Sequence, residues 1–397
     1  MLADRIKNLE PSPTIALDAR VRELMRQGKI IINLGVGEPN FSTPKYICDA
    51  AIDAINSGFT HYTPAGGIPE LRAVIAKYSR EKLNLNYSAD EIIVGAGSKS
   101  LLYNIFQILC NPGDEVLTPT PTWGTYFELI KLSGATPVEV SLAPPFKLTA
   151  DDLRKKITPK TKVILLNFPS NPTGAIIKKT ELKKIGDLAI EKNLYIISDE
   201  IYGQMTYANP HPTLSTVVER GCVSIASLGD EIKKRTITVN GFSKSFAMTG
   251  WRVGWGGGPR EIIDALIALQ GQTTFANSSI SQRAALAALN GGKIELQEMM
   301  AELRARRDFI TTELTKIDGL EWAIPEGAFY FFVSVKKLLS KKYPTSAAWC
   351  EGMLGKEGVA VVPGEAFHAP GYFRLSYGAA MEEVKKGVRG IANFIQS

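Results

Sequence analysis

The chain has 397 residues and a formal net charge of +6, from 46 lysines and arginines against 40 aspartates and glutamates. Its length favours roughly two or three domains, and its 45% hydrophobic and 22% charged residues exclude wholesale disorder. No block of about five or six like charges occurs, so we expect no nucleic-acid partner. The sequence also lacks an apolar run of about 20 residues and an apolar signal-peptide core, which predicts a cytoplasmic protein with no membrane partner.

Cysteines and histidines are too few and too scattered to suggest a metal centre. The four cysteines contain no C-x-x-C pair, which excludes a zinc ribbon and a disulfide framework. The three histidines, His61, His211 and His368, show neither the HExxH nor the HxH spacing of metal sites. The sequence therefore predicts no metal site.

Helical and strand-like segments alternate through the first three quarters of the chain. Apolar residues recur at helical spacing in residues 68–82, 99–110 and 179–192. Short apolar or β-branched runs predict strands at residues 91–94, 115–118, 162–168, 194–198 and 236–241. Because such runs fit strands buried on both faces, the alternation predicts an α/β fold with a mostly parallel sheet.

The pattern changes near residue 290, where an Asn-Gly-Gly sequence ends the series of helices. A long amphipathic helix is expected from there to residue 317, with an apolar stripe that we interpret as core packing. Strand-like segments follow at residues 328–335, 358–364 and 373–378. We therefore expect a large domain over residues 46–292. Residues 1–45 and 293–397 are expected to form an N-terminal arm and a smaller α+β domain.

Three polar residues each follow a different predicted strand: Asn171, Asp199 and Lys244. Ser243 precedes the lysine, and Arg252 lies eight residues beyond it. Open α/β sheets bind ligands at the carboxyl ends of their strands, so we expect these side chains to meet there. A carboxylate in that place is costly unless a cation pairs with it.

A glycine-rich turn, VGAGSKSLL at residues 94–102, leads into a predicted helix. It fails the P-loop pattern because Ser98 stands where a glycine must precede the lysine. It fails GxGxxG because Ser100 replaces the third glycine, so a nucleotide-binding module is not favoured. Free backbone N–H groups at a helix N-terminus can still hold one phosphate.

Together these residues fit one aldehyde cofactor. A lysine amine can form a Schiff base with an aldehyde. Pyridoxal phosphate also needs a carboxylate at its pyridine nitrogen and a cup for its phosphate. Lys244 and Asp199 fit the first two requirements, and the 97–100 turn, Ser243 and Arg252 fit the third.

The sequence resembles the class I aminotransferases of the fold-type I pyridoxal-phosphate enzymes, and is most similar to their bacterial aspartate aminotransferase branch. The resemblance covers nearly the whole chain and rests on motifs in order: GVGEPNF (35–41), HYTPAGGIPELR (61–72), PTWGTYFE (121–128), NFPSNPTG (167–174), SDEIY (198–202), SKSFAMTGWRVG (243–254), EGAFYFF (326–332), PGEAF (363–367) and FRLSYG (373–378). These motifs are very specific for the family and much less so for its substrate.

The resemblance implies roles for residues around the cofactor ring. Lys244 is expected to be the Schiff-base lysine and proton shuttle, and Asp199 to bind the pyridinium nitrogen. Tyr202 and Asn171 are expected to hydrogen-bond the 3-oxygen of the cofactor. Trp123 is expected to lie over the ring. The expected catalytic residues are therefore the lysine, the aspartate and the tyrosine.

The same resemblance implies a set of residues around the cofactor phosphate. Ser98 and Lys99, the latter mainly through its backbone, are expected to bind the phosphate. Ser243 and Arg252 are expected to assist them. Tyr62 is expected to reach the phosphate from a neighbouring subunit, which implies a homodimer with composite active sites.

For the substrate, the resemblance implies that Arg374 holds the α-carboxylate with a bidentate fork. Asn171, Trp123 and the Gly37 backbone are expected to help. The implied reaction moves the amino group of an L-amino acid, aspartate first, to a 2-oxo acid such as 2-oxoglutarate by ping-pong kinetics. Some relatives use a basic residue just before the Pro-Ser near the N-terminus for a distal carboxylate, where this chain has Glu10. Which residue binds a distal carboxylate is left open.

Several alternative functions also remain open. Aromatic amino acids, alanine or prephenate/arogenate could be the substrates, and a lyase of the same fold uses the same lysine. A regulator with an aminotransferase-like domain that binds an amino acid without turnover adds a DNA-binding segment ahead of that domain. The resemblance begins at residue 10 here, which disfavours the regulator.

Overall fold

The computed structural model describes residues 3–7, 9–207, 222–292 and 294–397. His211, one of the three histidines considered above, lies outside these residues. Within them, no group of three or more His, Cys, Asp or Glu side chains is placed to hold a metal ion. None of the described helices is both long and apolar enough to cross a membrane.

Helices and strands alternate along the described chain. The helices are α1 Asp4–Lys7, α2 Pro13–Arg26, α3 Lys45–Asn56, α4 Pro69–Leu83, α5 Ser98–Leu109, α6 Thr125–Leu132, α7 Ala150–Arg154, α8 Lys179–Glu191, α9 Asp230–Lys233, α10 Arg260–Gln272, α11 Ser279–Asn290, α12 Ile294–Leu314, α13 Ser346–Glu357 and α14 Met381–Gln396. The strands are β1 Ile32–Asn33, β2 Ile92–Gly95, β3 Glu115–Thr120, β4 Thr136–Ser141, β5 Thr161–Asn167, β6 Tyr195–Asp199, β7 Thr236–Gly241, β8 Gly254–Gly257, β9 Glu321–Trp322, β10 Tyr330–Ser334, β11 Val359–Ala360, β12 Val362–Pro363 and β13 Tyr372–Ser376.

A seven-stranded sheet, ordered β2-β8-β7-β6-β5-β3-β4, forms the centre of the larger part of the molecule. The five strands from β7 to β4 are parallel neighbours. β8 runs antiparallel to both β2 and β7. The mostly parallel sheet predicted from the sequence is confirmed, whereas β4 and β8 were not predicted.

Helices cover both faces of this sheet. Successive side chains of β5 point to opposite faces, and each packs against helices there. Val163 and Leu165 pack with α5 and α10, whereas Ile164 and Leu166 pack with α7 and α8. Burial on both faces explains the nearly continuous apolar sequence of this strand. The last residue of β5 pairs in register with the last residue of β6, so both of these polar side chains reach the carboxyl edge of the sheet.

A second, antiparallel sheet, ordered β12-β13-β10-β9, lies in the C-terminal part of the chain. The predicted α12 stripe packs in its core through Met299, Leu303, Ile310 and Leu314, together with residues of α13 and α14. β1 of the N-terminal segment pairs in parallel with β11. The smaller α+β unit is confirmed, and its boundaries at residues 46 and 292 stay a prediction.

Candidate active site

A cavity of about 510 Å³ opens at the carboxyl edge of the large sheet, against the smaller sheet and α2. Its walls contain every predicted site residue except Tyr62, namely Gly37, Ser98, Lys99, Trp123, Asn171, Asp199, Tyr202, Ser243, Lys244, Arg252 and Arg374. These residues come from segments far apart in the chain. The fold therefore brings into one place what the sequence could only list.

The Lys244 amine lies in this cavity and donates a hydrogen bond to the Gly37 carbonyl oxygen at 2.6 Å. Burial lowers the pKa of the amine to about 8. The charges of Arg374 and Arg252 act in the same direction, and Glu38 opposes them. A lowered pKa leaves more of the amine unprotonated near neutral pH, the form required of a nucleophile or base.

Asp199 ends β6 and is only 3% exposed. One carboxylate oxygen accepts the Tyr126 hydroxyl at 2.7 Å, and the other accepts the Ile201 backbone N–H at 3.1 Å. Burial raises the pKa of this carboxyl to about 6, although both hydrogen bonds and the Lys244 charge act against the rise. The structure thus holds a buried carboxylate in a fixed orientation with its electrostatic cost only partly offset.

The turn between β2 and α5 forms a cradle for an anion. Gly97 adopts φ +83°, and a Cβ there would lie 2.6 Å from an Arg252 guanidinium nitrogen. A Cβ on Gly254 would lie 2.6 Å from the backbone nitrogen of Ser98, the first residue of α5. The two glycines allow Arg252 and the helix N-terminus to approach closely. Positive charge and free N–H groups there suit a phosphate.

Arg374, in β13, is 2% exposed and has donors left over. Its guanidinium donates to the Asn171 side-chain oxygen at 3.0 Å and to the Gly35 carbonyl at 2.6 Å. Its Nε is buried without a partner. Burial lowers the pKa of the guanidinium, and the Tyr330 and Phe367 rings flank it at 4.4 and 5.0 Å. A carboxylate entering the cavity would satisfy the unpaired donor.

Tyr62 lies outside the cavity. Its side chain is 90% exposed and meets Phe275 edge-on, with 5.1 Å between ring centroids. Its expected contact with a cofactor in a neighbouring subunit stays a prediction.

Sequence reasoning missed several residues of this cavity. Asn167 donates to the Asp199 carbonyl and accepts the Asn171 backbone N–H, which ties the ends of β5 and β6 together. Tyr126 and Tyr330 also line the wall. Both aromatic residues stand in apolar runs that resemble core, so only their neighbours in space identify them.

Comparison with known proteins agrees with the site geometry. The chain matches the family described as aminotransferase class I and II over residues 29–391. It is 40% identical to an aspartate aminotransferase of Bacillus sp. (strain YM-2), covering 100% of this chain and 99% of the relative. It is 41% identical to a probable aspartate/prephenate aminotransferase of Aquifex aeolicus, covering 100% and 98%.

Solved structures give the same result. The aspartate aminotransferase of Thermus thermophilus with maleate superposes with a TM-score of 0.92 at 36% identity, covering 99% of each chain. The aspartate aminotransferase of Rhizobium meliloti superposes with a TM-score of 0.93 at 38% identity, covering 100% of this chain and 99% of that one. The protein therefore belongs to the class I and II aminotransferases and is an aminotransferase.

Proposed function

We propose that this aminotransferase uses pyridoxal phosphate to transfer the amino group of aspartate to a 2-oxo acid such as 2-oxoglutarate. The observation that carries the proposal is the placement of the Lys244 amine and the buried Asp199 carboxylate in one cavity with a partly unpaired Arg374. An amine, a carboxylate and a carboxylate receptor are the three groups that this chemistry requires of a protein.

The residues present fit the cofactor. Lys244 would bind its aldehyde carbon, Asp199 its ring nitrogen, and Ser98, Ser243 and Arg252 its phosphate. When bound, pyridoxal phosphate supplies an electron sink that makes the α-hydrogen of an amino acid acidic. Trp123 forms the wall over which its ring would lie, and the Tyr202 hydroxyl, with Asn171, would meet its 3-oxygen.

The electrostatics of Asp199 favour a cationic partner. Its pKa of about 6 exceeds the ordinary 3.8. The contribution of this carboxyl to the free energy of unfolding is therefore fully present below about pH 4, and it is lost as the group ionises while pH rises through 6. A pyridinium bound against the carboxylate offsets that loss because it stabilises the ionised form. The Tyr126 bond meanwhile keeps the carboxylate pointed into the cavity.

The amine of Lys244 is the group that moves protons. With a pKa of about 8 it would take the α-proton of the substrate, and pyridoxal phosphate would supply the carbon to which the amine returns that proton. The Gly37 carbonyl accepts one of its hydrogens and so fixes its direction. Arg374 holds the substrate α-carboxylate, which places the α-carbon within reach of that amine.

Aspartate as donor requires a cation for its second carboxylate. Lys99 fits, since its amine lies in the cavity wall, 4.6 Å from the Trp123 ring centroid. Burial lowers the pKa of Lys99, the charge of Arg252 lowers it further, and no acidic group among the described residues counteracts them. Arg22 also lines the cavity, but its charge is already paired with Asp18 at 2.7 Å. We therefore assign the distal carboxylate to Lys99, whose backbone still belongs to the phosphate cradle.

The names of the relatives support aspartate and make prephenate the second candidate substrate. A panel of amino donors assayed against 2-oxoglutarate separates the two readings. A homodimer with composite sites and a cytoplasmic location complete the proposal, and the former is supported by the exposed Tyr62 and Phe275 pair.

The function is tested by trapping the cofactor. We expect the purified holoenzyme to absorb visible light, and borohydride reduction to fix the cofactor mass on the peptide that contains Lys244. Lys244→Ala should lose turnover and the covalent label while still binding cofactor. Lys45→Ala, which removes an exposed lysine paired with Asp49, should behave as wild type. A label on another lysine would contradict the assignment.

A further inference from the structure

Tyr330, in β10, is a buried side chain that connects three groups of the site. Its hydroxyl lies 2.9 Å from the Tyr202 hydroxyl. It lies 3.5 Å from the Gly37 carbonyl oxygen, which also accepts the Lys244 amine. The Arg374 guanidinium sits 4.4 Å from the centroid of its ring. One side chain thus joins the carboxylate receptor, the acceptor of the lysine and the expected donor to the 3-oxygen.

The hydrogen bond between the two tyrosines has a direction once Tyr202 is engaged. A phenol has one proton to donate. When Tyr202 donates to the 3-oxygen of the cofactor, it can only accept from Tyr330. The 2.9 Å contact is a normal bond, whereas the 3.5 Å contact to Gly37 is long, so the Tyr330 proton goes to Tyr202.

Arg374 makes Tyr330 the stronger donor of the pair. Burial raises the pKa of both phenols. For Tyr330, the Arg374 charge is the largest effect that opposes the rise. The Arg374 charge also lowers the pKa of Tyr202, but burial and the interaction with Tyr330 outweigh it there, and that pKa stays well above its usual range. A carboxylate that binds Arg374 cancels part of this charge and therefore weakens the bond that Tyr330 donates.

We infer that Tyr330 is a positioning residue that donates its hydroxyl proton to Tyr202 and so transmits the occupancy of Arg374 to the 3-oxygen of the cofactor. The inference rests on the proposed function. Each hydrogen bond in a chain polarises the next, so loss of the Tyr330 hydroxyl weakens the bond from Tyr202 to that oxygen. An oxygen with a weaker donor would carry more negative charge, which would stabilise the protonated form of the nearby Lys244 nitrogen and keep that nitrogen protonated to higher pH.

The test is the midpoint pH of the visible absorption change of the holoenzyme. Tyr330→Phe keeps the ring beside Arg374 and removes the hydroxyl. We expect it to raise the midpoint by roughly 0.2–0.7 unit, because cooperative polarisation is a fraction of a full hydrogen bond. Tyr202→Phe should raise the midpoint further, and the double variant should match Tyr202→Phe. An unchanged midpoint in Tyr330→Phe, or additive shifts in the double variant, would overturn the relay.

Maleate, the dicarboxylate bound in the Thermus thermophilus structure, probes the Arg374 end. It should raise the wild-type midpoint, and the rise should be smaller in Tyr330→Phe. Tyr202→Phe keeps Tyr330 and should show the same reduction, so this arm holds even if Tyr330→Phe does not fold. A full maleate shift in Tyr202→Phe would overturn the relay.

A matched control is Tyr377→Phe, a buried tyrosine outside the cavity whose hydroxyl donates to the Ala328 carbonyl. It should keep the wild-type midpoint and the wild-type maleate shift. The two proposals fail differently. A wild-type protein with no visible absorption contradicts the proposed function, whereas a normal wild-type titration with no change in Tyr330→Phe contradicts only the relay.

Discussion

Lys99 is an exposed cation of the cavity wall, and no described carboxylate balances its charge. If it reads the distal carboxylate, Lys99→Met should lower kcat/KM for aspartate by roughly 10- to 150-fold, the loss of one charge-assisted hydrogen bond. The kcat/KM for alanine, which has no distal carboxylate, should change by less than about threefold. Steady-state kinetics with both donors measure the difference.

Arg22→Met provides the control, since Arg22 lines the same cavity but already pairs with Asp18. This variant should have nearly wild-type kcat/KM for both aspartate and alanine. If Lys99→Met weakens aspartate and alanine equally, Lys99 serves the cofactor phosphate instead. A loss confined to aspartate in Arg22→Met would move the role to α2.

Residues with a distinctive chemistry could be found from the sequence. Residues whose role depends on a hydrogen-bond partner far away in the chain could not. Lys244 and Asp199 each follow a predicted strand, and a charged residue in that place needs an explanation. Tyr126 and Tyr330 carry hydroxyls that matter only because of Asp199 and Tyr202 beside them. Such pairs join positions 73 and 128 residues apart, a relation that local sequence does not encode.

The turn between β2 and α5 positions the phosphate cradle, and Gly97 is its critical residue. An alanine there must adopt φ +83° and place its Cβ 2.6 Å from Arg252. We expect Gly97→Ala to lower the free energy of unfolding by roughly 1–3 kcal/mol, because its backbone, at φ +83° and ψ 160°, lies in a region that essentially only glycine occupies. It should also raise the dissociation constant of pyridoxal phosphate by at least about tenfold, because a displaced Arg252 loses a charge-assisted bond to the phosphate.

Gly113→Ala separates these two effects. Gly113 has φ +91° in a turn with nothing within 4 Å of an added Cβ. It should lose similar stability in urea unfolding and keep wild-type cofactor affinity in an absorbance titration. Equal loss of affinity in both variants would show that general destabilisation, not the cradle, weakens cofactor binding.

The two strands of the large sheet that sequence patterns missed, β4 and β8, contain residues that are unfavourable in strands. β8 is Gly-Trp-Gly-Gly, and glycine is depleted in strands. Its glycines are required because a Cβ on Gly257 would lie 2.8 Å from the Tyr87 ring, and one on Gly254 would meet Ser98. β4 contains Pro137 and lies at the sheet edge, where a proline is tolerated. The strands at the centre of the sheet, β5 to β7, have the apolar runs from which they were predicted.

At the scale of the whole molecule, the cavity draws its walls from both sheets and from α2, so neither sheet alone forms the site. The smaller sheet supplies Arg374, while the large sheet supplies Asp199. Parallel-sheet topology predicts that residues at strand ends share one edge. It does not predict which face of a second sheet closes over that edge, and the contribution of β13 came from the family resemblance alone.

A second subunit is expected to complete the site, because the exposed Tyr62 and Phe275 form an aromatic pair on the surface. If Tyr62 of one subunit serves the site that holds Lys244 of the other, variants in different chains can complement each other. A heterodimer of Tyr62→Phe and Lys244→Ala chains then contains one site with both wild-type residues. We expect about half the activity of the wild-type dimer from it, since one of two sites is intact.

The cis arrangement is the control for this complementation. A chain with both substitutions, paired with a wild-type chain, leaves the one intact Lys244 facing a substituted Tyr62, while the other site lacks the lysine. Its activity should therefore be about half that of the Tyr62→Phe dimer. Co-expression with two different affinity tags isolates both heterodimers, and assays at equal cofactor saturation compare them. A cis heterodimer that is more active than the trans heterodimer would mean that each chain builds its own site. A sedimentation mass of one chain together with full activity would remove the dimer from the mechanism, and Tyr62 would then be a surface residue with no part in the reaction.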